Sequence, residues 1–149
     1  MNADESALTN GKPWPTPESA AAHFELRLAL DGHAPGAARS LVRDCLRARV
    51  KACTLDDAQL LVSELVTNSV CYGGTTAADG VVVRVDLTPG MVRLEVEDAG
   101  SGGDFGPRTP DPETGGGFGL SFVQSLSERW GVERIAAGGT RVWAQLVRA

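Results

Sequence analysis

Glycine is distributed very unevenly along this chain of 149 residues, and the skew limits what the chain can fold into. Eight of its 18 glycines lie in the stretch from Gly100 to Gly119, which also contains three prolines. Neither residue suits the interior of a helix or strand, because glycine is costly to order and proline lacks a backbone donor. The stretch is therefore predicted to be a long irregular loop, and loops of this length in a compact domain usually serve a function.

The length and composition predict one globular domain. Hydrophobic residues make up 42% of the chain and charged residues 22%, close to the averages for folded proteins. No apolar run approaches the roughly 18 residues of a membrane span, and no signal-peptide core is present. We therefore expect a cytoplasmic protein without membrane contact. The net charge of −5 argues against direct nucleic-acid binding driven by bulk electrostatics.

The cysteines and histidines give no sign of a catalytic thiol or a metal site. Cys45, Cys53 and Cys71 form an odd set without CxxC spacing, which indicates reduced thiols. The two histidines, His23 and His33, lie in no recognisable motif. Cysteine catalysis and a Cys/His metal site are both disfavoured.

Hydrophobic periodicity predicts a two-layer α/β sandwich. Residues 1–20 are expected to form a flexible N-terminal tail, and residues 21–149 a single domain. The predicted elements are, in chain order, a strand over 23–30, a helix with Pro35 in its first turn, a helix from an N-cap at Thr54 to Tyr72, strands over 80–87 and 91–97, a helix over 118–130, and strands over 132–136 and 140–147. This order favours a mixed, mostly antiparallel sheet with helices on one face.

Two polar side chains stand out on the second predicted helix. Glu64 and Asn68 are four residues apart and so share one helical face. They flank the apolar stripe formed by Leu61, Leu65 and Ser69 instead of lying opposite it. Such a pair can belong to a site, but taken alone the pattern favours a solvated helix edge.

A second polar segment, Asp98-Ala99-Gly100-Ser101-Gly102, follows a predicted strand. A carboxylate at a strand end can accept a hydrogen bond from an exocyclic amine, and the glycines let a flat ligand approach the backbone. The alternative is a tight acidic turn.

The third segment, from Gly115 to Leu120, leads glycine-rich backbone into a predicted helix. Backbone N–H groups at a helix start can bind phosphate. The segment is not a P-loop, because GxxxxGK[ST] is absent, and it lacks the GxGxxG dinucleotide fingerprint.

The order of these segments carries more information than any one of them. Glu64-x-x-x-Asn68, Asp98-x-Gly100-x-Gly102, Gly117-x-Gly119 and Gly139-Thr140 together resemble the GHKL, or Bergerat-fold, superfamily of gyrase, histidine kinases and the MutL repair proteins. The resemblance covers roughly residues 22–148. In its small size the chain is most similar to stand-alone bacterial anti-sigma factors of the serine/threonine kinase type. The resemblance implies the Bergerat ATP-binding fold.

The resemblance also implies a role for each motif residue. Glu64 would be the general base, and Asn68 would coordinate Mg²⁺ on the ATP phosphates. Asp98, assisted by Thr140, would bind the adenine amino group. The remaining implied nucleotide contacts are Gly100 and Gly102 at adenine, and Gly117, Phe118, Gly119 and Leu120 at the phosphates, with residues 103–116 as the ATP lid.

The chain departs from the family pattern just after Asn68. The family usually shows a small residue there and, three positions later, a histidine before glycine. Here those positions are Ser69, a mild change, and Tyr72, which removes the imidazole.

The implied function is that of an ATP-binding anti-sigma regulator. It would bind a sigma factor, phosphorylate an anti-anti-sigma protein of the STAS type, and act by partner switching; the resemblance also admits a homodimer. The alternative is an ATP-binding interaction module with little or no catalytic activity, which would bind nucleotide without transfer. A histidine-kinase catalytic domain is disfavoured, because the chain has no room for a dimerising phosphoacceptor helix pair.

Overall fold

A computed structural model describes residues 22–72, 80–99, 123–135 and 138–148. The elements are β1 (Ala22–Leu28), α1 (Ala34–Leu46), α2 (Ala52–Tyr72), β2 (Val81–Leu87), β3 (Met91–Asp98), β4 (Arg129–Arg134) and β5 (Thr140–Val147). The strands form one sheet in the order β1-β2-β3-β5-β4. Every pairing among these strands is antiparallel. The predicted α/β sandwich with a mostly antiparallel sheet is therefore confirmed, and the described strands include no parallel pair.

Both helices pack on the same face of the sheet. Side chains alternate along β2, so Val81, Val83 and Val85 enter one apolar core with residues of α1 and α2. Pro35 lies in the first turn of α1, where its missing N–H costs nothing. Among the described residues, no helix is long and apolar enough to cross a membrane.

The opposite face of the sheet is lined by charged side chains in register. Glu25, Arg84 and Glu95 lie side by side on β1, β2 and β3. The Arg84 guanidinium donates to Glu95 and Glu97 at 2.8 and 2.6 Å. Burial alone would raise the pKa of Glu97, but its hydrogen bonds with Arg84 and Arg141 bring that pKa below its ordinary value. These pairs allow long charged side chains to cover the sheet.

An indole ring lies directly against the backbone of Gly131 on this charged face. A Cβ at Gly131 would come within 2.7–2.8 Å of the Trp143 ring, and the Arg93 guanidinium lies 4.6 Å from the ring centroid. Gly131→Ala is expected to lower the free energy of unfolding by about 1–3 kcal/mol, because the buried ring must shift. Chemical denaturation measures the loss. Gly90→Ala is the control, since its Cβ would meet nothing within 4 Å; equal stability of the two variants would contradict the prediction.

Two predicted helix boundaries are wrong, and so is the start of the strand predicted over 132–136, which is β4. Helix α2 begins at Ala52, so Thr54 is its third residue and not its N-cap. The third helix does not extend to Trp130, because β4 begins at Arg129. Helical structure is present at 123–126, and the Glu128 N–H then donates to the Gln145 carbonyl at 2.8 Å. That bond draws the chain into the sheet, where Trp130 lies opposite Ala144. The predicted tail and the stretch 100–122 lie outside the described residues.

Candidate functional site

Helix α2 carries the first two predicted site residues on the side that approaches the sheet. Glu64 and Asn68 are one turn apart, which puts their Cβ atoms about 5–6 Å from each other. Asn68 is buried and Glu64 is half-buried. The structure therefore excludes the solvated helix edge for Asn68 and places Glu64 at the margin of the core.

The carboxyl group of Glu64 is shifted toward its protonated form. Burial raises the pKa of Glu64 above its ordinary value, because loss of solvent disfavours the charged carboxylate. A carboxylate with a raised pKa holds an accepted proton more firmly. This is the direction expected of a general base that works near neutral pH.

The side-chain amide of Asn68 has an unused donor. Its Nδ2 atom is buried and has no hydrogen-bond partner among the residues the structure describes. Buried polar groups are nearly always paired, so a group of this kind suits a site that a ligand completes. An amide can offer its oxygen to a hard cation such as Mg²⁺ and its N–H₂ to a phosphate oxygen. The orphaned amide next to Glu64 therefore fits a magnesium–phosphate group.

Asp98 lies at the last position of β3, where the strand is covered by α2. Its side chain is only 3% exposed, and the Ser69 hydroxyl donates a hydrogen bond of 2.9 Å to its Oδ2 atom. Asp98 is opposite Thr140 in the β3–β5 pairing, and Thr140 is also buried. The carboxylate is thus held inside the protein, which excludes a solvated acidic turn at this position.

Four of the predicted site residues, Glu64, Asn68, Asp98 and Thr140, lie in the described part of the chain. Ser69 follows Asn68 directly and contacts Asp98, so the structure brings this part of α2 to the end of β3, where Thr140 is paired. The remaining predictions lie outside the described residues: Gly100, Gly102, Gly117, Phe118, Gly119 and Leu120. The side chain of Tyr72 is not described either. The sequence pattern alone does not predict a contact between Ser69 and Asp98, although a hydroxyl within an apolar stripe indicates a polar partner.

Gly139, in the fourth motif, is required by the backbone around Asp98. Its φ is +118°, and a Cβ there would lie 2.4 Å from the Asp98 carbonyl oxygen. Gly138 has a φ of +93°, but a Cβ there would meet nothing within 4 Å. Both glycines therefore have a positive φ, but only at Gly139 would a Cβ also clash with the backbone of Asp98.

Replacing these two glycines separates conformational strain from the clash. Gly139→Ala is expected to lower the free energy of unfolding by about 2–4 kcal/mol, because strain and overpacking add. Gly138→Ala should cost only about 1–2 kcal/mol, since it suffers the strain alone. Urea denaturation of both variants measures the difference. Equal losses would show that the approach of Gly139 to Asp98 does not matter.

Comparison with known protein families and relatives gives a consistent picture. The family described as histidine kinase-like ATPase domain matches residues 28–146. Two relatives, each called an anti-sigma F factor, come from Clostridium botulinum strains Eklund 17B and Alaska E43. They are 32% and 31% identical over 97 residues, which cover 59% of this chain and 67% of each relative.

Two solved structures are similar in fold. One contains the RsbU and RsbW domains of Rv1364c from Mycobacterium tuberculosis, with a TM-score of 0.64 and 23% identity. The match covers 85% of this chain but only 32% of that longer chain. The other is the histidine kinase domain of the blue-light activated histidine kinase EL346 from Erythrobacter litoralis, with a TM-score of 0.50 and 25% identity. It covers 88% of this chain and 67% of that one.

Proposed function

Because this chain belongs to the histidine kinase-like ATPase domain family, we propose that it binds ATP with Mg²⁺ and phosphorylates a hydroxyl group of a partner protein. The single observation that carries the proposal is the cluster on α2 and β3. It combines a half-buried Glu64 of raised pKa with the orphaned amide of Asn68 and the buried Asp98 carboxylate. Packing of the core alone does not require three such polar groups at the contact between α2 and the end of β3.

The proposed reaction is a phosphoryl transfer in which Glu64 takes the proton. The partner's hydroxyl oxygen forms a bond to the γ-phosphorus, and the bond from that phosphorus to the bridging oxygen breaks, so that ADP leaves. Glu64 accepts the hydroxyl proton during the attack. Asn68 would hold Mg²⁺, which when bound supplies positive charge against the phosphates.

The strand-end residues would select and hold the base. The Asp98 carboxylate can accept a hydrogen bond from the 6-amino group of adenine. Thr140, which lies opposite Asp98 in the β3–β5 pairing, would assist through its hydroxyl. In this arrangement β3 recognises the base while α2 works on the phosphates.

The cellular role that we propose is that of an anti-sigma regulator. Its support is the similarity to two anti-sigma F factors over 97 residues. The partners would be a sigma factor and an anti-anti-sigma protein of the STAS type. The STAS protein would carry the serine or threonine that is phosphorylated, and its modification would switch the partner that this chain binds.

A transfer assay tests this proposal directly. The full chain is incubated with γ-labelled ATP, Mg²⁺ and each STAS-type protein encoded in the same genome, with a target Ser→Ala variant as the control. Label on the wild-type partner alone is the expected result. Tight ATP binding by calorimetry without transfer to any of them would instead identify an ATP-binding module, and the absence of ATP binding would overturn both functions.

A further inference from the structure

We propose that Ser69 is a positioning residue that sets the preference of this site for adenine over a 6-oxopurine. The inference rests on the proposed function and goes beyond it, because it assigns base selectivity to a residue that lies outside the predicted nucleotide-binding set. Its starting point is the hydrogen bond from Ser69 Oγ to Asp98 Oδ2, at 2.9 Å. The two side chains are 1% and 3% exposed, so the bond is shielded from water.

The bond of Ser69 differs from those of its neighbours on the same helix. A buried serine in a helix usually satisfies its hydroxyl on the carbonyl of the preceding turn. Ser63 does this with the Leu60 carbonyl at 3.0 Å, and Thr67 with the Ser63 carbonyl at 2.7 Å. Ser69 instead reaches from α2 to the end of β3, 29 residues away in sequence. Its hydroxyl therefore acts on the site and not on its own helix.

Fixing one carboxylate oxygen fixes the direction of the whole group. The last torsion of an aspartate side chain is broad and nearly two-fold, so each hydrogen bond to the carboxylate narrows the range of its orientations. The Ser69 hydroxyl is one of the groups that hold Asp98, and it fixes the position of Oδ2. An incoming 6-amino group then meets an acceptor that needs no further ordering, which favours binding.

The same rigidity penalises the wrong base. A 6-oxopurine would place a carbonyl oxygen against the fixed carboxylate, two acceptors with no hydrogen between them. A carboxylate with a fixed Oδ2 turns away less easily, so the mismatch keeps more of its cost. Removing the Ser69 hydroxyl gives the carboxylate more freedom, which should weaken ATP binding and relieve part of the penalty on inosine triphosphate (ITP).

The test compares ATP and ITP binding to the full chain by calorimetry in the presence of Mg²⁺. Ser69→Ala is expected to raise the dissociation constant of ATP about tenfold. Because ITP should lose little affinity, the ratio of the ITP to the ATP dissociation constant should fall by a similar factor. Ser69→Thr keeps the hydroxyl and should retain the wild-type ratio. Ser63→Ala, which removes a hydroxyl bonded within the same helix, is the matched control and should leave the ratio unchanged.

The outcomes separate this assignment from the function it rests on. If Ser69→Ala lowers the affinities for ATP and ITP equally, or lowers neither, the role of Ser69 in base selectivity is overturned while the ATP site is retained. If the wild-type chain binds no ATP, the proposed function fails as well. Thermal melting without nucleotide checks the fold of each variant. If Ser69→Ala does not fold, Ser69→Cys replaces it, because the thiol has a similar volume and is a weaker hydrogen-bond donor. This variant must also show a lower ratio of the ITP to the ATP dissociation constant than the wild type.

Discussion

Asp98→Asn is expected to weaken ATP binding about 100-fold, because it removes a charged acceptor and puts an N–H₂ donor in its place. The new donor would face the donor of the adenine 6-amino group. The 6-oxo group of ITP, an acceptor, would instead find a partner, so ITP should lose much less affinity than ATP. Calorimetry with both nucleotides gives the two constants for the variant and the wild type.

A second buried aspartate provides the control for this experiment. Asp86 is also almost fully buried, but it lies on β2, on the charged face, where it contacts His23. Asp86→Asn therefore makes the same chemical change inside the same sheet and should leave both nucleotide affinities unaltered. If Asp98→Asn binds ATP as the wild type does, the assignment of Asp98 to the base is wrong.

Glu64→Gln should lower the rate of phosphoryl transfer by about 100-fold or more while ATP still binds. The amide keeps the size of the side chain but cannot accept the hydroxyl proton, and general-base catalysis contributes at least that factor. Transfer of label under single-turnover conditions measures the rate, and calorimetry measures the affinity. Asp57→Asn, two turns earlier on α2, is the control and should transfer normally. Equal rates for Glu64→Gln and the wild type would exclude Glu64 as the base.

The same substitution has a predictable effect on stability. Burial raises the pKa of Glu64, so the folded protein binds this proton more tightly than the unfolded chain does. That contribution is fully present below the unfolded pKa of about 4.3 and is lost as the pH rises through the folded pKa. Glu64→Gln has no such loss and should become more stable relative to the wild type as the pH rises above about 4.3. Melting curves recorded at increasing pH give the difference.

Local patterns in the sequence were sufficient for most of the fold. The alternation in β2 and β3 and the apolar stripe of α2 each reflect one buried face, so they predict element type directly. The sequence pattern predicts a helix through Trp130, because a short segment with apolar residues fits either a helical or a strand period. Only its place opposite Ala144 decides for a strand, and that partner is contributed by β5. Pairings of this kind depend on tertiary contacts that no local pattern contains.

The candidate site shows the same division. The spacing of Glu64 and Asn68 was informative because a helix converts it into a shared face. The bond between Ser69 and Asp98 could not be predicted in this way, because it joins a helix to a strand and depends on the packing of the helix layer on the sheet. The raised pKa of Glu64 also comes from burial, which depends on the complete core.

The strand order has a consequence for the assembly of the site during folding. β5 inserts between β3 and β4, so Asp98 meets Thr140 only when the last strand of the described fold has docked. A chain emerging from the ribosome makes β1, α1, α2, β2 and β3 first and can form their local contacts, but closing the long loop to β5 is entropically slow. The pair that would hold adenine is therefore completed late. Nucleotide binding is therefore expected only after β5 has been synthesised and has paired with β3.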